Sequence, residues 1–320
     1  MNTINTKNII NQNKRKTIYV FITYIIIFIF LGLTFDVLYI ASTKLVNPNT
    51  TFFDIFLALI QFKYLPFITL IMSTISIIII FISIYFGNRL ILSGLHYSQD
   101  ETDILYQKVY NLVDNMRIAS GNNYMPQVYL INDDYMNAFA SGWNKENALI
   151  AVTRSLAENL NYNELESVIG HEMTHINHYD IRLTLILGIL NNIMLFLLDW
   201  IYLSNLGRRN NNNNKARNQA EFILLILKIF VPLITFFLNL FLSRTREYMA
   251  DAGSIELTKN PTAMKNALIK ISEYPNKSIK ENNSRKAAYI FNKESFFELF
   301  STHPSLKNRI AAIDGKMNKY

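Results

Sequence analysis

Cysteine is absent from the 320-residue chain. That excludes a disulfide framework, a thiolate-held zinc or iron–sulfur cluster and a thiol nucleophile, so any metal must be held by His and carboxylates. Charge is scarce too, at 17% of residues against the roughly 25% usual in soluble domains, while half the chain is hydrophobic. Gly and Pro number 10 and 7, too few for collagen-like or elastic repeats, and the mean hydropathy of +0.13 excludes a disordered tail protein. The net charge is +7, yet Lys and Arg gather beside apolar runs, as residues that orient membrane spans do. Nucleic acid is not an expected partner, whereas a lipid bilayer is. The length suffices for one or two domains with a real core.

Thr17 to Phe35 carries no charge and is almost all Ile, Phe, Val, Leu and Tyr, about the length needed to cross the roughly 30 Å hydrocarbon layer as a helix. A second uncharged run lies between Lys63 and Arg89. The first run exceeds the h-region of a signal peptide and no small-x-small cleavage site follows promptly, which favours a retained anchor. Lys7, Lys14, Arg15 and Lys16 precede it, whereas the connecting loop offers only Lys44 and Lys63, so the N-terminus is expected in the cytoplasm. Two later runs are weaker. Leu183 to Leu198 includes Asn191 and Asn192, and Phe222 to Leu242 includes Lys228, Pro232 and Asn239. Between them lies a basic, asparagine-rich loop around Asn210 to Asn214. Full crossing would put that basic loop outside, so a hairpin that enters the bilayer only partly stands as the alternative.

Polar and amphipathic stretches separate these runs. Ile104, Leu105, Val109, Leu112, Val113 and Met116 recur at helical steps between Asp100 and Ile118. Short strands are expected at Gln127–Ile131, Asn137–Ala140 and Ala148–Val152, divided by turn-rich residues. Thr153 can cap a short helix, and Asn163 with Glu166 resembles a capping box opening the next one.

That next helix carries His171-Glu172-Met173-Thr174-His175, an H-E-x-x-H motif. On a helix both imidazoles share a face and reach one ion, while Glu172 projects beside them toward a water on that ion. With five His and 24 acidic residues in the chain, chance supplies the pattern roughly 0.005 times per such sequence. His178 and His96 are read as non-ligands. A catalytic zinc commonly has three protein ligands plus water, and with no further clustered His a carboxylate is the natural candidate for the third. Glu247, directly after the last apolar run, is the candidate. Asp251, four residues on and on the same helical face, is placed to accept a hydrogen bond from a ligand His and fix its tautomer.

With these residues assembled, the chain resembles the HtpX type of membrane-integrated zinc metalloproteases, which are similar in catalytic core to the CAAX prenyl endoproteases. The matching pieces run in order: Asn137-Ala138-Phe139-Ala140, the stretch from Ala148 to Asp180, Ser243 to Asp251, and Ser301-Thr302-His303-Pro304 with Arg309-Ile310. The resemblance implies a gluzincin-like site with one zinc on His171, His175 and Glu247 and with Glu172 as general base. It implies that Asn137 to Ala140 forms an edge strand pairing with substrate backbone, that Asn137 binds a substrate carbonyl, and that His303 contacts substrate or stabilises the oxyanion. Arg309 is grouped with the substrate-binding residues, supporting the His303 loop through a carboxylate.

The expected fold is a mainly α integral membrane protein, with transmembrane helices and an α+β zincin-like domain bearing a small antiparallel sheet. The expected layout is a cytoplasmic segment over 1–16, a first span over 17–41, an external loop over 42–63 and a second span over 64–88. The catalytic domain occupies 89–180 and 243–320, interrupted by the apolar hairpin over 181–242. The expected activity is zinc-dependent hydrolysis of peptide bonds in misfolded or damaged membrane proteins, part of a stress response, at a bacterial inner membrane with the catalytic domain in the cytoplasm. Two rivals are a prenyl-protein endoprotease, for which two strong spans are few, and a non-catalytic scaffold around a structural zinc, for which no fourth ligand is evident. A transporter using Asp199 and Lys228 would leave the metal motif unexplained.

Overall fold

The structure, a computed structural model, describes residues 3–43, 46–47, 49–190, 193, 215–239, 244–274 and 305–315. His303, residues 191–192 and 194–198 of the apolar run from Leu183, and the asparagine-rich loop lie outside the described residues. Contacts divide the chain into two units, one of residues 1–17, 85–189 and 239–320 and one of residues 18–84 and 190–238.

The second unit is built from apolar helices: α1 (Thr3–Ser42), whose later part belongs here, α2 (Phe52–Ile60), α3 (Phe67–Leu92), up to Ile84, and α8 (Lys215–Asn239). The helices α1, α3 and α8 are each long and apolar enough to cross a membrane. On α3, Leu70, Ile71, Ile77, Ile78 and Phe81 point outward, an arrangement suited to lipid and unfavourable in water. The buried Asp36 accepts from the Ile68 and Thr69 amides at 2.9 and 2.8 Å and from Thr69 Oγ1 at 2.7 Å. It thereby caps the start of α3, whose first amides have no partner within the helix. A Cβ on Gly32 would stand 2.5 Å from Thr69 Cα, so only glycine lets the two backbones meet there. The stretch expected as an external loop contains α2, opened by a Thr51–Asp54 capping box.

The other unit holds a four-stranded sheet with α4 (Ile104–Ala119), α5 (Arg154–Asn159), α6 (Tyr162–His178), α9 (Arg244–Thr258), α10 (Pro261–Glu273) and α11 (Leu306–Ile313). A helix over 180–190, α7, follows α6. The strands β1 (Tyr97–Ser98), β2 (Gln127–Ile131), β3 (Ala138–Ser141) and β4 (Leu149–Thr153) stand in the order β1-β2-β4-β3. The sheet is mixed rather than antiparallel throughout: β4 pairs antiparallel with β3 but parallel with β2. The chain reverses between β2 and β3 and again into β4, so β4 runs like β2 and slots between the two. The core lies where α4 and α6 cover this sheet, with Leu112, Val113, Ile150, Val152, Val168 and Ile169 fully buried or nearly so.

Candidate active site

The helix α6 starts where its sequence satisfies its orphan amides. Asn161 Oδ1 accepts from the Glu164 amide at 2.9 Å and Glu164 Oε2 accepts from the Asn161 amide at 3.0 Å. The capping box therefore sits two residues before the expected Asn163 and Glu166. Both pairs have the right spacing, but Asn161 follows the end of α5 with extended backbone, and Glu164 also receives Lys270 Nζ at 2.7 Å. Thr153 caps α5 as expected.

From this start the helix delivers His171, Glu172 and His175 to a buried centre. Glu247 reaches the same place from the first turn of α9. The approach of α9 to α6 depends on small residues: a Cβ on Gly253 would stand 2.5 Å from Thr174 Cγ2, and one on Gly170 would stand 3.1 Å from Ser254 Oγ. Ser254 Oγ donates to the Ser167 carbonyl and fastens the pair.

His171 Nε2 and His175 Nε2 lie 3.0 Å apart, with Glu247 oxygens 3.7 and 3.9 Å from them. Each ring has its other nitrogen beside a buried carboxylate, His171 Nδ1 at 2.9 Å from Asp251 Oδ1 and His175 Nδ1 at 3.0 Å from Asp180 Oδ2. Asp180 is hydrogen-bonded to His175 Nδ1, and the Asp251 carboxylate beside His171 Nδ1 favours a proton there as well, which turns the Nε2 lone pairs toward each other and requires a positive charge between them. A proton or a metal ion meets that need. Two nitrogens bound to one tetrahedral zinc at about 2.05 Å would be about 3.3 Å apart, close to the spacing here. The residues fit a divalent cation held by His171, His175 and Glu247, whose ligand atoms all lie within 4.8 Å of one another.

The surrounding charges are paired. Arg309 of α11 donates from Nε to Asp251 Oδ2 at 2.8 Å and from a second nitrogen to Oδ1. Burial alone would lift the Asp251 carboxyl, but Arg309 and His171 outweigh it and hold the group below the usual carboxylate range. Burial would likewise lift Asp180, and His175 with Arg246 keeps it low. Burial disfavours the His171 imidazolium, yet the Asp251 and Glu247 carboxylates outweigh that and push it up to about 9. Arg246 bridges the second ligand's surroundings, donating to Glu247 Oε1 at 3.2 Å and to Thr184 Oγ1 at 2.8 Å, with Asp180 Oδ2 3.6 Å from its Nε.

Of the residues singled out from sequence, the structure brings together His171, Glu172, His175, Glu247, Asp251 and Arg309, all buried. Arg309, grouped there with substrate contacts, spends its guanidinium on Asp251. Ala138, Phe139 and Ala140 lie in β3, an edge strand paired with β4 and packed against α6, and are buried. Asn137 precedes β3, its amide donating to Thr153 Oγ1 at 2.9 Å and its carbonyl accepting from the Thr153 amide. His178 is buried away from the ligand set, its carbonyl accepting from Asn13, and His96 is exposed. Sequence reasoning missed Asp180 and Arg246. The adjacency of Arg246 to Glu247 was a signal for one, but nothing in His178-Tyr179-Asp180 announced the other.

Paired His on a capped helix, a carboxylate from a second helix and buried carboxylates behind both rings define a metallopeptidase centre, here in a chain with helices fit to span a membrane. Residues 102–317 match the family model Peptidase family M48, and the chain belongs to that family as a membrane-bound metalloprotease. It is 43% identical over 97% of its length to a protein of Helicobacter acinonychis (strain Sheeba) named Protease HtpX homolog, covering 98% of that protein. A Protease HtpX homolog of Helicobacter pylori (strain Shi470) is 41% identical over 98% of this chain and 99% of its own. The crystal structure of S. mikatae Ste24p is similar with a TM-score of 0.49 and 18% identity, over 80% of this chain and 60% of that one.

Proposed function

We propose that this metalloprotease is a zinc endopeptidase that cuts misfolded or damaged membrane proteins from the cytoplasmic face of a bacterial inner membrane. The observation that carries the reading is the buried convergence of His171, His175 and Glu247 beside Glu172. When bound, a zinc ion supplies Lewis acidity to the scissile carbonyl and makes attacking water more acidic. Glu172 acts as general base, taking the proton from that water and handing it to the leaving amine. Asp251 and Asp180 hold the protons on the two Nδ1 atoms, so both Nε2 atoms stay available as ligands. Arg309 and Arg246 keep those carboxylates ionised although buried.

The edge strand β3 supports substrate binding through main chain, which reads peptide without demanding a sequence. Because the Asn137 and Thr153 main chains are bonded, the alternation of an antiparallel ladder turns the N–H and C=O groups of Ala138 and Ala140 away from β4. His303, outside the described residues, is assigned to substrate contact or the oxyanion. The basic flank of α1, with Lys7, Lys14, Arg15 and Lys16 ahead of the uncharged run, supports a cytoplasmic N-terminus. The test is a pair of membrane reporters in cells, one with a destabilised cytoplasmic loop and one with a destabilised external loop. Loss of the cytoplasmic-loop reporter with the wild-type chain but not with Glu172→Gln is expected; loss of the external-loop reporter alone would overturn the orientation.

A further inference from the structure

A second group of side chains gathers at the corner that follows α6, outside the set assigned above to peptide hydrolysis. Tyr179, the corner between α6 and α7, has φ of +59°, a costly conformation for a bulky residue. The corner turns Asp180 back to His175 and sets the Tyr179 ring among three cations. Lys14 Nζ, Lys145 Nζ and the Arg182 guanidinium carbon lie 5.4, 5.8 and 5.6 Å from its centroid.

Arg182 also lies over the Trp143 ring at 4.0 Å and donates from Nε to the Trp143 carbonyl. Lys145 Nζ donates to Asn177 Oδ1 at 2.9 Å. Each cation thus spends donors on neutral acceptors or on a ring face, and among the described residues no carboxylate pairs with any of the three. Burial draws the Lys145 ammonium below the usual lysine value.

Three cations gathered about one ring with donors to spare suit an anion that offers several oxygens at once, as a phosphate does. Their places in the chain say where that phosphate comes from. Lys14 stands three residues ahead of the uncharged run beginning at Thr17, and Arg182 immediately precedes the apolar run from Leu183. Trp and Tyr beside them are the aromatic residues that settle at headgroup level. We propose that Lys14, Lys145 and Arg182, around Tyr179 and Trp143, bind the phosphate of an anionic phospholipid headgroup. The site is independent of the peptidase reading. It would select anionic over zwitterionic lipid, since basic residues near a membrane surface attract anionic headgroups by about fivefold each.

Trp143 reports on the site directly. The chain has two Trp, so Trp200→Phe leaves Trp143 alone. That full-length variant is reconstituted in vesicles containing acyl-brominated phosphatidylglycerol or acyl-brominated phosphatidylcholine at equal mole fraction. Quenching by phosphatidylglycerol is expected to exceed that by phosphatidylcholine by a preference of about fivefold or more. Adding Lys14→Gln, Lys145→Gln and Arg182→Gln should bring the preference within about twofold, while Lys14→Arg with Lys145→Arg should keep it and show that charge, not fold, is read. Equal quenching by the two lipids, or a preference that survives the triple substitution, overturns the proposal. Erasure of the preference by millimolar inorganic phosphate makes free phosphate the ligand, and erasure by an acidic peptide makes it a protein partner. Either result removes the lipid assignment.

Discussion

Replacing Asp251 by Asn keeps its size and removes its charge, and the surroundings make that change costly. Asp251 faces donors on both sides, His171 Nδ1 at 2.9 Å and the Arg309 guanidinium at 2.8 Å, and both Asp251 and Arg309 are 2% exposed. An amide has one accepting and one donating end, so its NH2 must confront either Arg309 or His171. Facing His171, it moves the ring proton to Nε2 and blocks the ligand atom. Loss of such a partner weakens metal binding by roughly 10- to 100-fold, about 1.4 to 2.7 kcal/mol. Arg309→Met is expected to act mainly on the fold, because it strands a buried carboxylate at a cost of about 3 to 5 kcal/mol. The double variant should lose less than the two singles together, with a coupling of about 2 kcal/mol. Denaturant unfolding of the chelated chain gives the stability terms, and competition against a chromophoric chelator gives the zinc affinity. Zinc affinity of Asp251→Asn within about twofold of wild type, or singles that add within about 0.5 kcal/mol, would show that Asp251 does not couple His171 to Arg309.

Three further outcomes are expected. Gly253→Val should force α9 from α6 at Thr174, costing about 1 to 3 kcal/mol of stability and weakening zinc binding by carrying Glu247 away; unchanged affinity by chelator competition would contradict this. Ala140→Pro removes one outward N–H of β3 while sparing the ladder to β4, so kcat/KM should fall by about tenfold, the worth of one hydrogen bond, with little change in unfolding midpoint. Zinc binding must displace the positive charge held by His171, which titrates at about 9. Affinity should therefore fall by about tenfold for each pH unit below that value and level off above it, and a flat titration between pH 7 and about 9 would contradict the assignment.

The helix bearing His171, Glu172 and His175 was legible because its signal is local: two His and a Glu at helical spacing say which face they share before any packing is known. The same holds for Glu247 and Asp251, four residues apart on α9. Asp180 was not legible, because its approach to His175 depends on a left-handed corner at Tyr179, where neither Gly nor Asn marks the turn. Arg309 was expected to act through a carboxylate, but nothing within α11 tells that the carboxylate is Asp251 of α9. The three strands expected from sequence lie within a residue of β2, β3 and β4, but the two-residue β1 is too short to carry an alternation signal, and parallel pairing of β2 with β4 is a long-range choice that alternation within each strand does not encode. The capping box was misplaced because Asn161/Glu164 and Asn163/Glu166 share one spacing, and the deciding partner, Lys270, comes from another helix.

The role of Glu172 is decided by comparing the detergent-purified wild-type chain with Glu172→Gln at matched zinc content, on an unfolded protein substrate. The wild type is expected to cut, and the variant to bind zinc equally and cut at least about a hundredfold more slowly, the contribution typical of a positioned general base. Equal cleavage by both at equal zinc content would show that Glu172 is not the base and that the centre does not work as described.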